Sequence, residues 1–224
     1  YVNLGGRFKA GTEDEVAIQE DVNTWKGVER IIRAAFLFAR ENGRERVTLV
    51  DKANAMPAAG KLWRRAFDAV GADFPDLQRD AMYVDAMAMD LVRRPDRYQV
   101  IVTGNLFGDI LSDLAAELTG GLGMAPSANL HPGKHALYEP VHGSAPDIAG
   151  QNRANPMGAI ACAVLVLRQL GQGEAATAVD GAMRAALARG VTTADLGGSG
   201  TTEEVGSWIA DALVQPRAGG GDHG

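Results

Sequence analysis

The segment Asn105-Leu106-Phe107-Gly108-Asp109-Ile110-Leu111-Ser112-Asp113 carries two aspartates at i and i+4. On a helix that spacing puts both on one side, one turn apart, where the like charges repel. A shared hard cation removes the repulsion, and carboxylate oxygens suit Mg²⁺ or Mn²⁺. The alternative is a solvated helix face near an N-terminus, where acids favour the helix dipole. A third acid, Asp85, ends an apolar run, Tyr83-Val84-Asp85-Ala86-Met87-Ala88-Met89. An acid in that company needs a partner, or it serves as a helix N-cap. Lys52 follows the apolar Val47-Thr48-Leu49-Val50 and is the candidate base. Beside a divalent cation its ammonium is disfavoured, and a neutral amine accepts a proton. Pairing of Lys52 with Asp51 or Asp85 is the competing reading.

A second constellation is Glu139-Pro140-Val141-His142-Gly143-Ser144-Ala145-Pro146-Asp147-Ile148-Ala149-Gly150, followed by Asn155-Pro156. Small residues permit close backbone approach, and an imidazole and a carboxylate stand among them. Such a loop can wrap a flat heterocycle and offer an acid to a ribose diol. It is not a G-x-G-x-x-G fingerprint, and a polar structural turn remains the default.

These residues need elements to hold them. Extended stretches at 1–8 and 13–20 flank Gly11-Thr12 and predict a polar hairpin, an arm able to pair with another subunit. Thr24 can cap a helix over 25–42 with Val28, Ile31, Ile32, Ala35, Phe36 and Ala39 on its apolar face. Strand 47–50 leads to a helix from Pro57 to about 71. Strand 82–84 leads to a short helix ending near 93. Strand 100–103 leads to a helix over about 108–119. Alternating strands and helices predict an α/β fold, with Lys52, Asp85 and Asn105 just after strand ends, where ligands sit in open sheets. The stretch 120–155 reads as strand only at 136–138, and its length marks it as functional. Helices at 156–170, 174–189 and 202–214 follow, the last with a capping box at Thr201 and Glu204. A composition shift near 120 predicts a domain boundary.

Composition excludes several classes. The chain has 224 residues, 46% hydrophobic and 22% charged, in the ordinary soluble range. A formal charge of -6 gives no reason to expect nucleic acid or an anionic membrane as partner. One cysteine, Cys162, allows no internal disulfide and predicts a reducing, cytoplasmic setting. No apolar run reaches membrane-spanning length. The opening Tyr1 reads as a truncation point, and 215–224 as a disordered tail.

Four motifs in order resemble the β-decarboxylating dehydrogenases, a family of isopropylmalate, isocitrate, homoisocitrate and tartrate/D-malate enzymes. They are Val50-Asp51-Lys52-Ala53-Asn54, the 83–89 run, Gly104 to Asp113, and the 139–150 loop. The resemblance runs from Tyr1 to about Leu213. It implies a sandwich of helices on a mixed sheet, with a protruding hairpin arm and an incomplete N-terminal domain. The implied division is a central domain at 1–121 with its dimer arm at about 1–24, the C-terminal part of a cofactor domain at 122–214, and the tail. Asp109 and Asp113 are then metal ligands, joined by Asp85 of a partner subunit in a homodimer. Lys52, also acting across the dimer, takes the hydroxyl proton, and Tyr1 protonates the enol after CO₂ leaves. Glu139, His142, Gly143, Ser144, Ala145, Asp147, Ile148 and Asn155 form the adenosine side of the cofactor site, with Asn54 near the nicotinamide. Asp147 accepts from ribose hydroxyls and repels a 2′-phosphate, and NADP-using relatives carry a basic residue and a tyrosine at 147 and 148. NAD is therefore expected, with Mg²⁺ or Mn²⁺. The expected reaction converts a small 2-hydroxy dicarboxylic acid, foremost 3-isopropylmalate to 2-oxoisocaproate in leucine biosynthesis. The arm and Pro126-Ser127-Ala128-Asn129-Leu130 look more like the tartrate/D-malate branch. Isocitrate, homoisocitrate and an inactive dimerising fragment are further alternatives. Trp25 departs from the family, which usually has a basic residue there. About a third of the family's chain, with its substrate arginines, lies upstream of Tyr1, so exposed apolar edges and poor solubility are expected.

Overall fold

The computed structural model describes residues 4–131 and 135–214. They divide between Ala115 and Ala116, inside one helix, into two compact units. In the first unit, strands β1 (Gly5–Phe8) and β2 (Val16–Gln19) form an antiparallel hairpin, Gly5 opposite Gln19 and Phe8 opposite Val16. Every residue of both strands is exposed, including Phe8, Val16 and Ile18.

Helix α1 (Trp25–Glu41) starts where the Thr24 side chain accepts the Gly27 N–H at 3.2 Å, satisfying one orphan donor of the first turn. It leads into β3 (Arg46–Asp51), α2 (Pro57–Gly71), β4 (Gln78–Tyr83), α3 (Val84–Arg93), β5 (Val100–Thr103) and α4 (Asn105–Leu118). The three strands form a parallel sheet in the order β4-β3-β5. Alternation along a strand sends successive side chains to opposite faces. Val47, Leu49 and Val102 pack under α1 and α2 with Ile32, Phe36, Phe67 and Val70. Val50 faces the other way, against Met87, Leu91 and Leu111 of α3 and α4. Phe36 anchors the first layer, with ring centroids 5.3 Å from Phe67 and 5.1 Å from Phe74. A helix-covered parallel sheet puts every strand's C-terminal end on one edge, which is what brings 52, 85 and 105 there.

The second unit pairs β6 (Pro126–Leu130) with β7 (Ala136–Pro140), antiparallel. Helices α5 (Met157–Gln169), α6 (Gly173–Ala188) and α7 (Thr202–Val214) share a core of Met157, Val164, Ala176, Met183, Val205 and Ile209. The capping box forms: Glu204 N–H donates to Thr201 Oγ1 at 3.2 Å, and Thr201 N–H to Glu204 Oε2 at 2.8 Å.

Three expectations are corrected. The predicted strand 82–84 begins four residues earlier, because β4 is the sheet's edge and tolerates Gln78, Arg79 and Asp80. The helix predicted from about 108 begins at Asn105, directly after the β5 turn. β6 lay within a stretch read as irregular, its Pro126, Ser127, Ala128 and Asn129 having little β-propensity; pairing with β7 holds it extended. The expected tail at 215–224 lies outside the described residues.

Candidate active site

The C-terminal edge of the parallel sheet gathers the first constellation. β3 ends at Asp51, and Lys52 follows; β4 ends at Tyr83, and Asp85 is the second residue of α3. Asp51 and Tyr83 are register partners, so Lys52 and Asp85 leave neighbouring strands side by side. The Lys52 ammonium donates to Asp85 Oδ1 at 2.5 Å. The side chains are 27% and 60% exposed, so the pair faces solvent rather than the core. The Lys52 ammonium beside it holds the Asp85 carboxyl below the usual carboxylate range, aided by backbone N–H groups of the first turn of α3. Of the two partners open to Lys52 in the sequence, Asp85 has it. Asp51 is buried and committed elsewhere, to Arg64 at 2.7 Å from Nε and 3.1 Å from NH2.

A cleft of about 860 Å³ opens beside Lys52, lined among others by Val22, Met56, Trp63, Asn105 and Phe107. The Trp63 indole N–H donates to Asn23 at 2.8 Å, tying the base of the arm to α2. Asn54 is exposed on the turn after Lys52.

Asp109 and Asp113 lie one turn apart on α4, both exposed. Neither carboxylate has an ion pair with a described residue. Two adjacent unpaired acids are the donor set a hard divalent cation would neutralise. Within one chain, no group of three or more acid, histidine or cysteine ligands is gathered among the described residues.

The second constellation is an exposed loop. Glu139 is on β7, opposite Ser127. His142 Nδ1 donates to the Gly143 carbonyl at 2.9 Å, which leaves Nε2 as an acceptor when the ring is neutral. Ser144 is exposed, and Ala145 turns the chain at φ 44°. A 3₁₀ turn, Pro146–Ile148, follows and presents Asp147 to solvent. Asn155 differs from the rest: its Oδ1 accepts the Met157 N–H at 2.9 Å, and its Nδ2 donates to Asp195 at 2.9 Å. Its side chain braces the loop's end.

The model of the isocitrate/isopropylmalate dehydrogenase family matches residues 5–209. The chain belongs to that family. It is 47% identical over 215 residues to the 3-isopropylmalate dehydrogenase of Clavibacter sepedonicus, covering 95% of this chain and 60% of the relative. It is 43% identical to that of Thermobifida fusca strain YX, covering 96% and 60%. The solved isocitrate dehydrogenase from Methylococcus capsulatus matches with a TM-score of 0.88 and 39% identity, over 95% of this chain and 63% of that one. The chain thus spans about 60% of the length of these curated relatives.

Within this family frame, Tyr1 lies outside the described residues. Trp25 opens α1 and lies under Arg65, 5.6 Å from guanidinium carbon to ring centroid. The oxygen-rich set Asp85, Asp109 and Asp113 fits Mg²⁺ or Mn²⁺ in chemistry, and the exposed Asp147 fits a ribose diol. Sequence reasoning missed Arg64 and Asp195. The signal for Arg64 was Asp51 itself, an acid ending a buried strand and needing a cation from the next helix. No helix among the described residues is long and apolar enough to cross a membrane.

Proposed function

We propose that the protein is an NAD-dependent, Mg²⁺- or Mn²⁺-dependent dehydrogenase that oxidises and decarboxylates 3-isopropylmalate to 2-oxoisocaproate. The observation that carries this reading is the Lys52–Asp85 pair at the ends of adjacent parallel strands, in a chain whose α4 offers two further unpaired acids. In a homodimer, Asp109 and Asp113 of one subunit meet Asp85 and Lys52 of its partner. The cation, when bound, acidifies the substrate hydroxyl and withdraws charge during loss of CO₂. Asp85 serves in that ligand set, and its low proton affinity keeps it ionised. Lys52 pairs with Asp85 as an ammonium; its neutral amine, freed when Asp85 turns to the cation, takes the hydroxyl proton on Nζ, and Tyr1 returns one to carbon. Asp147 takes the ribose hydroxyls, which favours NAD over NADP. The relatives called 3-isopropylmalate dehydrogenase support the choice of substrate. A soluble, cytoplasmic homodimer accompanies the reading.

NADH formation tests it, with 3-isopropylmalate, D-malate and isocitrate as substrates, each with and without Mn²⁺. Turnover with 3-isopropylmalate that needs the metal is expected. Turnover that survives strong chelation contradicts the ligand assignment, and preference for another acid replaces the substrate.

A further inference from the structure

Lys52 follows the end of β3 and Asp85 opens α3 just past the end of β4, so their spacing depends on how the two strand ends are held. Arg64, on α2, reaches the last residue of each strand, Asp51 and Tyr83. Its guanidinium fork grips Asp51, the residue before Lys52, through Nε at 2.7 Å and NH2 at 3.1 Å. Its guanidinium carbon also stands 5.2 Å from the ring centroid of Tyr83, two residues before Asp85. Asp51 and Tyr83 are directly opposite across β3 and β4. Asp51 Oδ1 further accepts the Ala53 N–H at 3.0 Å, closing the Lys52 turn over its own strand end. That turn is held from the helix side as well. A Cβ on Gly60 would lie 2.4 Å from Ala53 Cβ and 2.5 Å from its Cα, so α2 packs against the turn through a bare backbone.

We infer that Arg64 is a positioning residue that fixes the separation of Lys52 and Asp85 by bridging the strand ends from which they project. A planar fork can hold a carboxylate bidentately while its face lies toward a ring, and a lysine ammonium cannot do both. Asp51 is the buried anchor of the bridge, and Tyr83 its second pier. The functional consequence rests on Lys52 being the base and Asp85 a ligand, so the test has one readout that does not depend on turnover.

The experiment compares the whole chain with Arg64→Met, Arg64→Lys and Tyr83→Leu, after circular dichroism and thermal melting establish folding. Lysine acylation followed by mass spectrometry reports access to the Lys52 amine, with exposed Lys26 and Lys61 as internal references. Arg64→Met is expected to raise Lys52 labelling several-fold against those references. It is also expected to lower kcat with 3-isopropylmalate by about 10- to 100-fold while KM for NAD stays constant. Arg64→Lys restores the charge but not the fork, and is expected to resemble Arg64→Met. Tyr83→Leu keeps the grip on Asp51 and gives a smaller change of the same sign, and it carries the test if Arg64→Met fails to fold. Unchanged Lys52 labelling in a folded Arg64→Met chain overturns the inference, as does full restoration by Arg64→Lys. If no variant, nor the wild type, turns over 3-isopropylmalate while Lys52 labelling shifts as stated, the bridge stands and the proposed reaction falls.

Discussion

At the scale of single residues, the acids separate into those that hold the structure and those left free for chemistry. Asp90 belongs to the first kind. It is buried, accepts the Tyr98 hydroxyl, and is gripped by Arg94 at 2.5 Å, with Arg97 at 3.5 Å. The Tyr98 bond first, then Arg94, holds its carboxyl below the usual range, while burial followed by the Asp90 bond pushes Tyr98 up to about 12. A lowered carboxyl stabilises the fold above its unfolded value and loses that as pH falls through the folded one. A raised phenol stabilises below 10.0 and loses that as pH rises toward about 12. Asp90→Asn is therefore expected to lower the melting temperature most at neutral pH. The gap from wild type should narrow in strong acid and strong base, and ultraviolet titration should find Tyr98 ionising nearer its ordinary value. Asp109 belongs to the second kind. Asp109→Asn is expected to lose at least about 100-fold in turnover while its melting temperature moves by only about 1–2 °C. Turnover within a few-fold of wild type would remove Asp109 from the ligand set. The placement of Asp109 and Asp113 one turn apart, and of Asp85 and Lys52 past adjacent strand ends, was legible because spacing and strand ends are local features. The partner of Lys52 was not legible, because the choice between Asp51 and Asp85 depends on Arg64, twelve residues beyond the lysine and brought near only by the fold.

Elements carry that residue chemistry by turning in the right places. Thr24, Pro57 and the Thr201–Glu204 box announce helix starts through side chains that act on their own backbone, so α1, α2 and α7 could be read from the chain. β6 and the first half of β4 could not, because an edge strand is made by its neighbour rather than by its own residues. The Asn155 brace was hidden for the same reason. Its partner Asp195 lies in a later 3₁₀ turn and also accepts the Thr193 hydroxyl at 2.5 Å. Gly123 leaves room for both, since a Cβ there would lie 2.8 Å from Asp195 and 3.2 Å from Asn155. Asp195→Ala is expected to raise KM for NAD while kcat at saturating NAD changes little; equal loss in both would contradict a role confined to the cofactor loop. On α2, Gly60→Ala drives a methyl into the Lys52 turn and is expected to destabilise the fold by about 1–3 kcal/mol, as overpacking does, with a parallel loss of turnover. An unaffected melting temperature would mean that the turn moves freely.

On the scale of the whole molecule, a single chain brings Lys52 to Asp85 but assembles no three-ligand group among its described residues. In the proposed chemistry a second copy completes the ligand set. The uncovered Phe8, Val16 and Ile18 on the arm, with Met89 and Ile110 on α3 and α4, are apolar surface such a copy would cover. Complementation between subunits tests this shared site most directly. Lys52→Met and Asp109→Asn are each expected to be inactive alone. Unfolded together and refolded as a mixture, they form heterodimers in which one site receives intact Asp109 from one subunit and intact Lys52 from the other, while the second site carries both defects. A shared site predicts recovery to about a quarter of wild-type turnover in a statistical mixture, since half the dimers are mixed and each has one sound site. A site contained within each subunit leaves every site with one defect, and a mixture no more active than its parents would contradict the shared assembly.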